Sequence, residues 1–207
     1  MEFSISAVLE NAFYLLALLN PASKVMFLAS CDPPLTRKQN FELTWKSSVA
    51  AMVILALVAA AGQFLLCRIF RVELYSLQIT GGLVVFVIGW TAIQEGRFLQ
   101  RKNNELRQDF TDLSLVPLAA PLIAGPGMIA AAIASSAQVG LFPTLLALFL
   151  ALTINFAFML FSSSINRILT HTHLLGPLIR LTGLVIAAVA MQMLINGLRT
   201  AIQSIFP

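Results

Sequence analysis

Between Asp112 and Arg167 the chain carries no Asp, Glu, Lys or Arg. A helix needs roughly 20 apolar residues to cross a bilayer, so this stretch is too long for one crossing and too apolar for a surface loop. Gly140 and Pro143 in VGLFPT mark the natural turn within it. The stretch therefore reads as two spans, about Leu113 to Ala137 and about Pro143 to Ser164. The same criterion marks four more, from about Ile5 to Ser30, Ser47 to Cys67, Leu74 to Gln94 and Leu174 to Leu198. Only 11% of the 207 residues are charged, against about 25% in a typical soluble domain. Barrel strands would alternate in polarity and be about half as long. The expected fold is an all-α integral membrane protein with six transmembrane helices, forming a single transmembrane domain over residues 1–207.

The net charge of +4 sits in short loops between apolar runs, which points to topology control rather than nucleic acid. Arg37, Lys38, Lys46, Arg97, Arg101, Lys102, Arg107 and Arg167 fall after spans one, three and five. Arg68, Arg71 and Arg199 fall on the other side. The positive-inside rule places the first group in the cytoplasm and both termini outside. No Lys or Arg precedes Lys24, so the basic start of a cleaved signal peptide is missing and the segment reads as mature chain. Two cysteines do not make a disulfide scaffold. Cys31 falls at the inner end of span one and Cys67 at the outer end of span two, which excludes a bond between them.

The two halves echo each other. LLALLNPASK (15–24) aligns with APLIAGPGMI (120–129), which lays Asn20-Pro21 on Gly125-Pro126 at an offset of 105. QITGGLVVFVIGWTAIQ (78–94) aligns with RLTGLVIAAVAMQMLIN (180–196), which lays Thr80-Gly81 on Thr182-Gly183 at an offset of 102. Two similar offsets in one order argue for duplication. Each unit has an odd number of spans, so the second copy is expected upside down. The reading is a first three-helix repeat over 1–94, a cytoplasmic linker over 95–112 and a second repeat over 113–207. Inverted repeats with interrupted helices at matching positions are the best sequence pointer to a transporter site.

Asn20-Pro21 and Gly125-Pro126-Gly127 fall near the middle of spans one and four, which are expected to break there. Pro117 and Pro121 loosen span four further. Proline suits the first position of a new half-helix, because its missing N–H would be unpaired there anyway. The free N–H groups of two such half-helices carry partial positive charge and suit a carboxylate. Gly125 and Gly127 admit close approach of a ligand to the backbone, and the Asn20 amide suits orientation or capping. Simple proline kinks used for packing are the plainer alternative.

Lys24 has two readings. One is snorkelling to the cytoplasmic surface; the other is a fixed cation or coupling site beside the cavity. Gln192 and Asn196 share a face of span six, and Trp90 and Gln94 take the equivalent places in span three. These groups either bind substrate in the cavity or hydrogen-bond between helices. Thr80-Gly81-Gly82 and Thr182-Gly183 read as close-packing points. Gln63 and Asn155 are isolated polar residues inside spans, and Glu10 reads as interfacial. His171 and His173 read as loop residues. Neither a metal nor a cofactor is expected.

At these residues the sequence resembles the MarC family of six-span bacterial inner-membrane proteins. LNP in span one, ITGGLVVFVIG in span three, VPLAAPLIAGPG (116–127) in span four and RLTGLVIAAVAMQMLINGL (180–198) in span six carry the resemblance, which covers nearly the whole chain. It implies location in the inner membrane and, from some members, transport of small neutral amino acids. The family's first-span loop usually reads asparagine-proline, a glycine two residues on, then a second proline. Here Ser23 and Met26 take those later places with Lys24 between them, a departure that bears on substrate and ion coupling rather than on fold. The expected function is ion- or proton-coupled secondary transport of a small zwitterion by alternating access. A non-transporting structural or regulatory role is the alternative. No GxxxxGK[ST], HExxH or GxSxG motif is present, so neither ATP hydrolysis nor another enzyme activity is expected. The expected partners are a small-molecule substrate, membrane lipid and, as an open question, further copies of the chain.

Overall fold

The computed structural model describes residues 5–29, 35–96, 123–162, 164–165 and 175–205. Its elements are α1 (Ile5–Leu19), α2 (Pro21–Ala29), α3 (Arg37–Gln63), a π-helical continuation (Phe64–Ile69), α4 (Leu74–Glu95), α5 (Pro126–Val139), α6 (Leu141–Leu160) and α7 (Leu175–Ile205). Among the described residues there is no strand. Five segments are long and apolar enough to cross a membrane: Ile5–Leu28, Arg37–Gly62, Leu74–Glu95, Leu141–Leu160 and Gly176–Ser204. The 14-residue α5 is a shorter apolar helix. The first part of the expected fourth span, with Pro117 and Pro121, lies outside the described residues. So do Cys31, most of the 95–112 linker, Arg167, His171 and His173.

Local chemistry moves several boundaries from those the apolar runs suggest. α3 starts ten residues ahead of the uncharged run, because Thr36 and Gln39 form a reciprocal capping box. Gln39 N donates to Thr36 Oγ1 at 3.3 Å and Thr36 N donates to Gln39 Oε1 at 3.0 Å, so two otherwise unpaired donors are satisfied. Arg37, Lys38 and Lys46 therefore ride on a helix rather than in a loop, and Lys46 pairs with Glu42 at 2.6 Å one turn away. α5 and α6 are joined through Gly140 alone, at φ +94°. A side chain is disfavoured in that conformation, and the Gly140 carbonyl accepts from both N and Oγ1 of Thr144. At the end of α4, Gly96 takes φ +64° and donates to Ala92 O, a left-handed helix stop.

α5 is buried nearly all round, with Gly127, Met128 and every residue from Ala130 to Ser135 inside. Small residues let its neighbours close on it. Gly81 of α4 meets Ala130 of α5, and Gly62 of α3 faces Ile133 of α5. α3 and α6 run antiparallel: Asn40 Nδ2 donates to Met159 O and Leu160 O, each at 3.3 Å, and the Trp45 and Phe41 rings stand edge-on to Phe156. The Asn40 bonds bring a side-chain donor to carbonyls in the last turn of α6, where Met159 O also accepts from Phe161 N.

The closest helix pair is α4 with α7. A Cβ on Gly89 would lie 2.7 Å from Ala187 N and 2.9 Å from Gly183 O; one on Gly183 would lie 3.0 Å from Gly89 O. Gly82 meets Ala190 O at 3.0 Å and Gly197 meets Tyr75 O at 3.1 Å by the same measure. Numbers rise along one helix as they fall along the other, so the pair is antiparallel and its backbones touch. Small residues at the seam are what membrane helices use to gain packing where lipid offers no hydrophobic drive. The expected packing role of Gly81-Gly82 and Gly183 is met. Thr80 and Thr182 instead bond back to carbonyls of their own helices, Ser76 O and Leu178 O, each at 2.9 Å.

Candidate functional site

The first expected break is present. α1 stops at Leu19 and α2 starts at Pro21. Pro21 cannot donate to the turn before it, and its ring clashes with the carbonyl four residues back. Asn20 absorbs the change of direction at φ +50°, a left-handed conformation that Asn tolerates better than most residues. Asn20 N still donates to Leu16 O at 3.0 Å, while Ser23 donates to Asn20 O twice, from N at 3.1 Å and from Oγ at 2.8 Å. Asn20 is buried.

Lys24 lies one turn into α2 and is only 3% exposed. Its ammonium donates to Leu19 O, the last carbonyl of α1. The side chain turns back toward the break and does not snorkel to the surface. Side chains on a helix lean toward its N-terminus, and Ser23 N, which would bond Leu19 O in an unbroken helix, donates to Asn20 O instead, so the Leu19 carbonyl is left for the ammonium. Lys24 has no acidic partner among the described residues.

At the second expected break the described residues show the start of α5. Gly125 is its extended N-cap, with no side-chain cap, and Pro126 takes the first helical position. Ile129 N donates to Gly125 O at 2.9 Å. Gly127 is buried, and the space its side chain would need is filled by Val85 of α4. Its missing Cβ serves helix packing.

A hydrogen bond relates the two breaks. Ser135 Oγ donates to Asn11 Oδ1 at 3.0 Å, tying α5 to α1. Asn11 stands nine residues before Asn20, and Ser135 stands nine after Pro126. With α1 and α5 antiparallel, as the six-span reading expects, 1.5 Å per residue puts both breaks at about the same depth, to one side of this contact. On that orientation two helix N-termini, the carbonyl end of α1 and a buried ammonium share one level of the protein.

Gln192 and Asn196 are not brought to that level's interior. They share a face as expected and bond to each other at 2.9 Å, but the face is exposed. Ala190, Met193 and Gly197 form the inward side of α7. Trp90 and Gln94 are likewise exposed on α4. Asn155 is fully buried on α6, where Nδ2 donates to Met159 Sδ at 3.2 Å and Oδ1 has no partner among the described residues. Sequence reasoning passed over Asn11, Asn40 and Ser135, and met Ser23 only as a departure from the family's loop. A polar residue inside an apolar run was the available signal for each except Asn40, whose Nδ2 partners, Met159 O, Leu160 O and Ser162 Oγ, lie more than a hundred residues away.

Among the described residues no three His, Cys, Asp or Glu side chains gather as a metal set. The free N–H groups at the two half-helix starts suit a carboxylate. Comparison with known proteins matches residues 5–202 to the profile described as MarC family integral membrane protein. A UPF0056 membrane protein of Pyrococcus horikoshii is 31% identical, over 92% of each chain. One from Methanocaldococcus jannaschii is 31% identical over 90% of this chain and 93% of its own. The UPF0056 membrane protein YvbG of Bacillus subtilis is 26% identical over 89% and 90%. No solved structure matches.

Proposed function

The chain belongs to the MarC family of integral membrane proteins, and from that premise we propose that it is a secondary transporter of a small carboxylate-bearing solute, a neutral amino acid or similar zwitterion. The observation that carries this reading is that helices start at Pro21 and Pro126, after the left-handed Asn20 and the extended Gly125, in segments tied by the Asn11–Ser135 bond; antiparallel α1 and α5 bring those starts to one depth. Interrupted helices meeting inside the membrane are how secondary transporters present backbone groups to a substrate. The N–H groups following Pro21 and Pro126 take the carboxylate; Asn20, Gly125 and Gly127 shape the break. Gln192 and Asn196 act on the outer face of α7 rather than on the substrate.

An inverted repeat is favoured by the way helices pair. If α2, α3 and α4 correspond to α5, α6 and α7, as the alignment of Pro21 with Pro126 requires, contacts between the halves pair off: α2 on α6 with α5 on α3, and α2 on α7 with α5 on α4. Of the self-corresponding pairs, α3 packs on α6 and α4 on α7; the counterpart of α1 lies outside the described residues. Rocking of the other helices of the two repeats about the α4–α7 seam then opens the breaks alternately to the two sides. The membrane is the inner membrane, with both termini outside.

Uptake of labelled alanine and glycine into proteoliposomes, with and without a pH gradient, tests the proposal. Wild-type protein is expected to carry at least one of them. Asn20→Leu and Gly125→Leu are expected to abolish flux while the protein still inserts. Undiminished flux in both variants refutes the site, and absence of flux for every zwitterion tried favours the non-transporting alternative.

A further inference from the structure

A half-helix that ends inside a membrane presents carbonyl oxygens, and in transporters with interrupted helices such ends hold the coupling cation. The end of α1 is one of these, and its last carbonyl is already taken by a cation that the chain itself supplies. The Lys24 ammonium sits on Leu19 O, buried, with no carboxylate among the described residues to account for its burial. Capping alone does not require a charge there. One residue on, the neutral hydroxyl of Ser23 caps Asn20 O, and a buried charge is costly enough inside a membrane to mark function.

We propose that Lys24 is a tethered cation: its ammonium fills, on the carbonyl end of α1, the place that a coupling Na⁺ or K⁺ would occupy, so that transport by this chain runs without either ion. The place follows from the Lys24–Leu19 contact; the consequence for flux rests on the transport reading above.

The test uses the full chain with Lys24→Met, which keeps the apolar stem, and Lys24→Arg, which keeps the charge. Thermal unfolding in detergent is followed in NaCl, KCl, ethylammonium chloride and choline chloride at equal ionic strength. Wild type and Lys24→Arg are expected to unfold at one temperature in all four. Lys24→Met is expected to unfold earlier in choline and to be restored by Na⁺, K⁺ or ethylammonium. In proteoliposomes, wild-type alanine uptake is expected to be unchanged when Na⁺ or K⁺ is replaced by choline. Lys24→Met is expected to lose roughly tenfold in choline, the usual weight of one hydrogen bond to a charged group, and to recover with the small cations.

Wild-type protein that needs Na⁺ or K⁺, or is stabilised by either over choline, overturns the proposal. So does a folded Lys24→Met protein whose unfolding ignores the cation. Should Lys24→Met fail to fold in every salt, the wild-type and Lys24→Arg comparisons decide. If no form carries any solute, the transport reading fails while the unfolding series still judges the tethered cation.

Discussion

Asn20 holds the backbone at φ +50° between two helices, and the cost of that conformation depends on the side chain. Glycine takes it freely, while a residue with an ordinary Cβ is disfavoured by about 1–2 kcal/mol. In thermal unfolding, Asn20→Gly should match wild type, Asn20→Ala should be destabilised by about 1 kcal/mol, and Asn20→Val should be worse still, since β-branched residues fit this region poorly. The Asn-Pro pair was legible in the sequence because proline dictates what its neighbour can do. The direction of Lys24 was not. A lysine near a helix start can reach either surface or break, and the choice was made by a carbonyl that only the folded break exposes. The same holds for Gln192 and Asn196. Their spacing states that they share a face, but α7 is apolar on nearly every side, so nothing in the pattern says which face turns inward.

Elements were legible where their ends carry their own chemistry. Gly140 and Gly96 ended helices as turn residues should. The start of α3 was missed because an apolar-run criterion ignores polar first turns, although Thr36 and Gln39 spell a capping box. Thr36→Ala should cost about 1 kcal/mol, the usual worth of such a cap. Faster amide exchange confined to the first turn of α3 is the expected signature. Between elements, glycine positions should divide sharply. Gly89→Val drives a side chain into the backbone of α7 at Ala187 and Gly183, and overpacking of that kind costs about 1–3 kcal/mol or more. Gly176→Ala meets nothing within 4 Å and should unfold within about 0.5 kcal/mol of wild type.

For the whole molecule, an all-helical membrane fold was readable from charge and length alone, since lipid leaves few alternatives to helices; five of the six expected spans stand as long apolar helices, and of the fourth the described part is the short α5. Which helix lies against which was not, because contacts such as Asn40 with Met159 or Ser135 with Asn11 join residues more than a hundred positions apart. The sidedness expected from the basic residues can be measured. With Cys31 and Cys67 replaced by serine, Ser204→Cys should react with a membrane-impermeant thiol reagent in intact cells. Lys38→Cys, exposed at the other end of the protein, should react only after the cells are opened. The opposite pattern would invert the molecule in its membrane.

The seam between α4 and α7 bears on how such a protein can move. Where main chain lies on main chain there are no side chains to reshuffle and no slack in which to slide. These two helices then serve as a keel, and whatever tilts must tilt around them. Spin labels placed one on each should hold a single separation, whichever solute is added and whichever side it is added from.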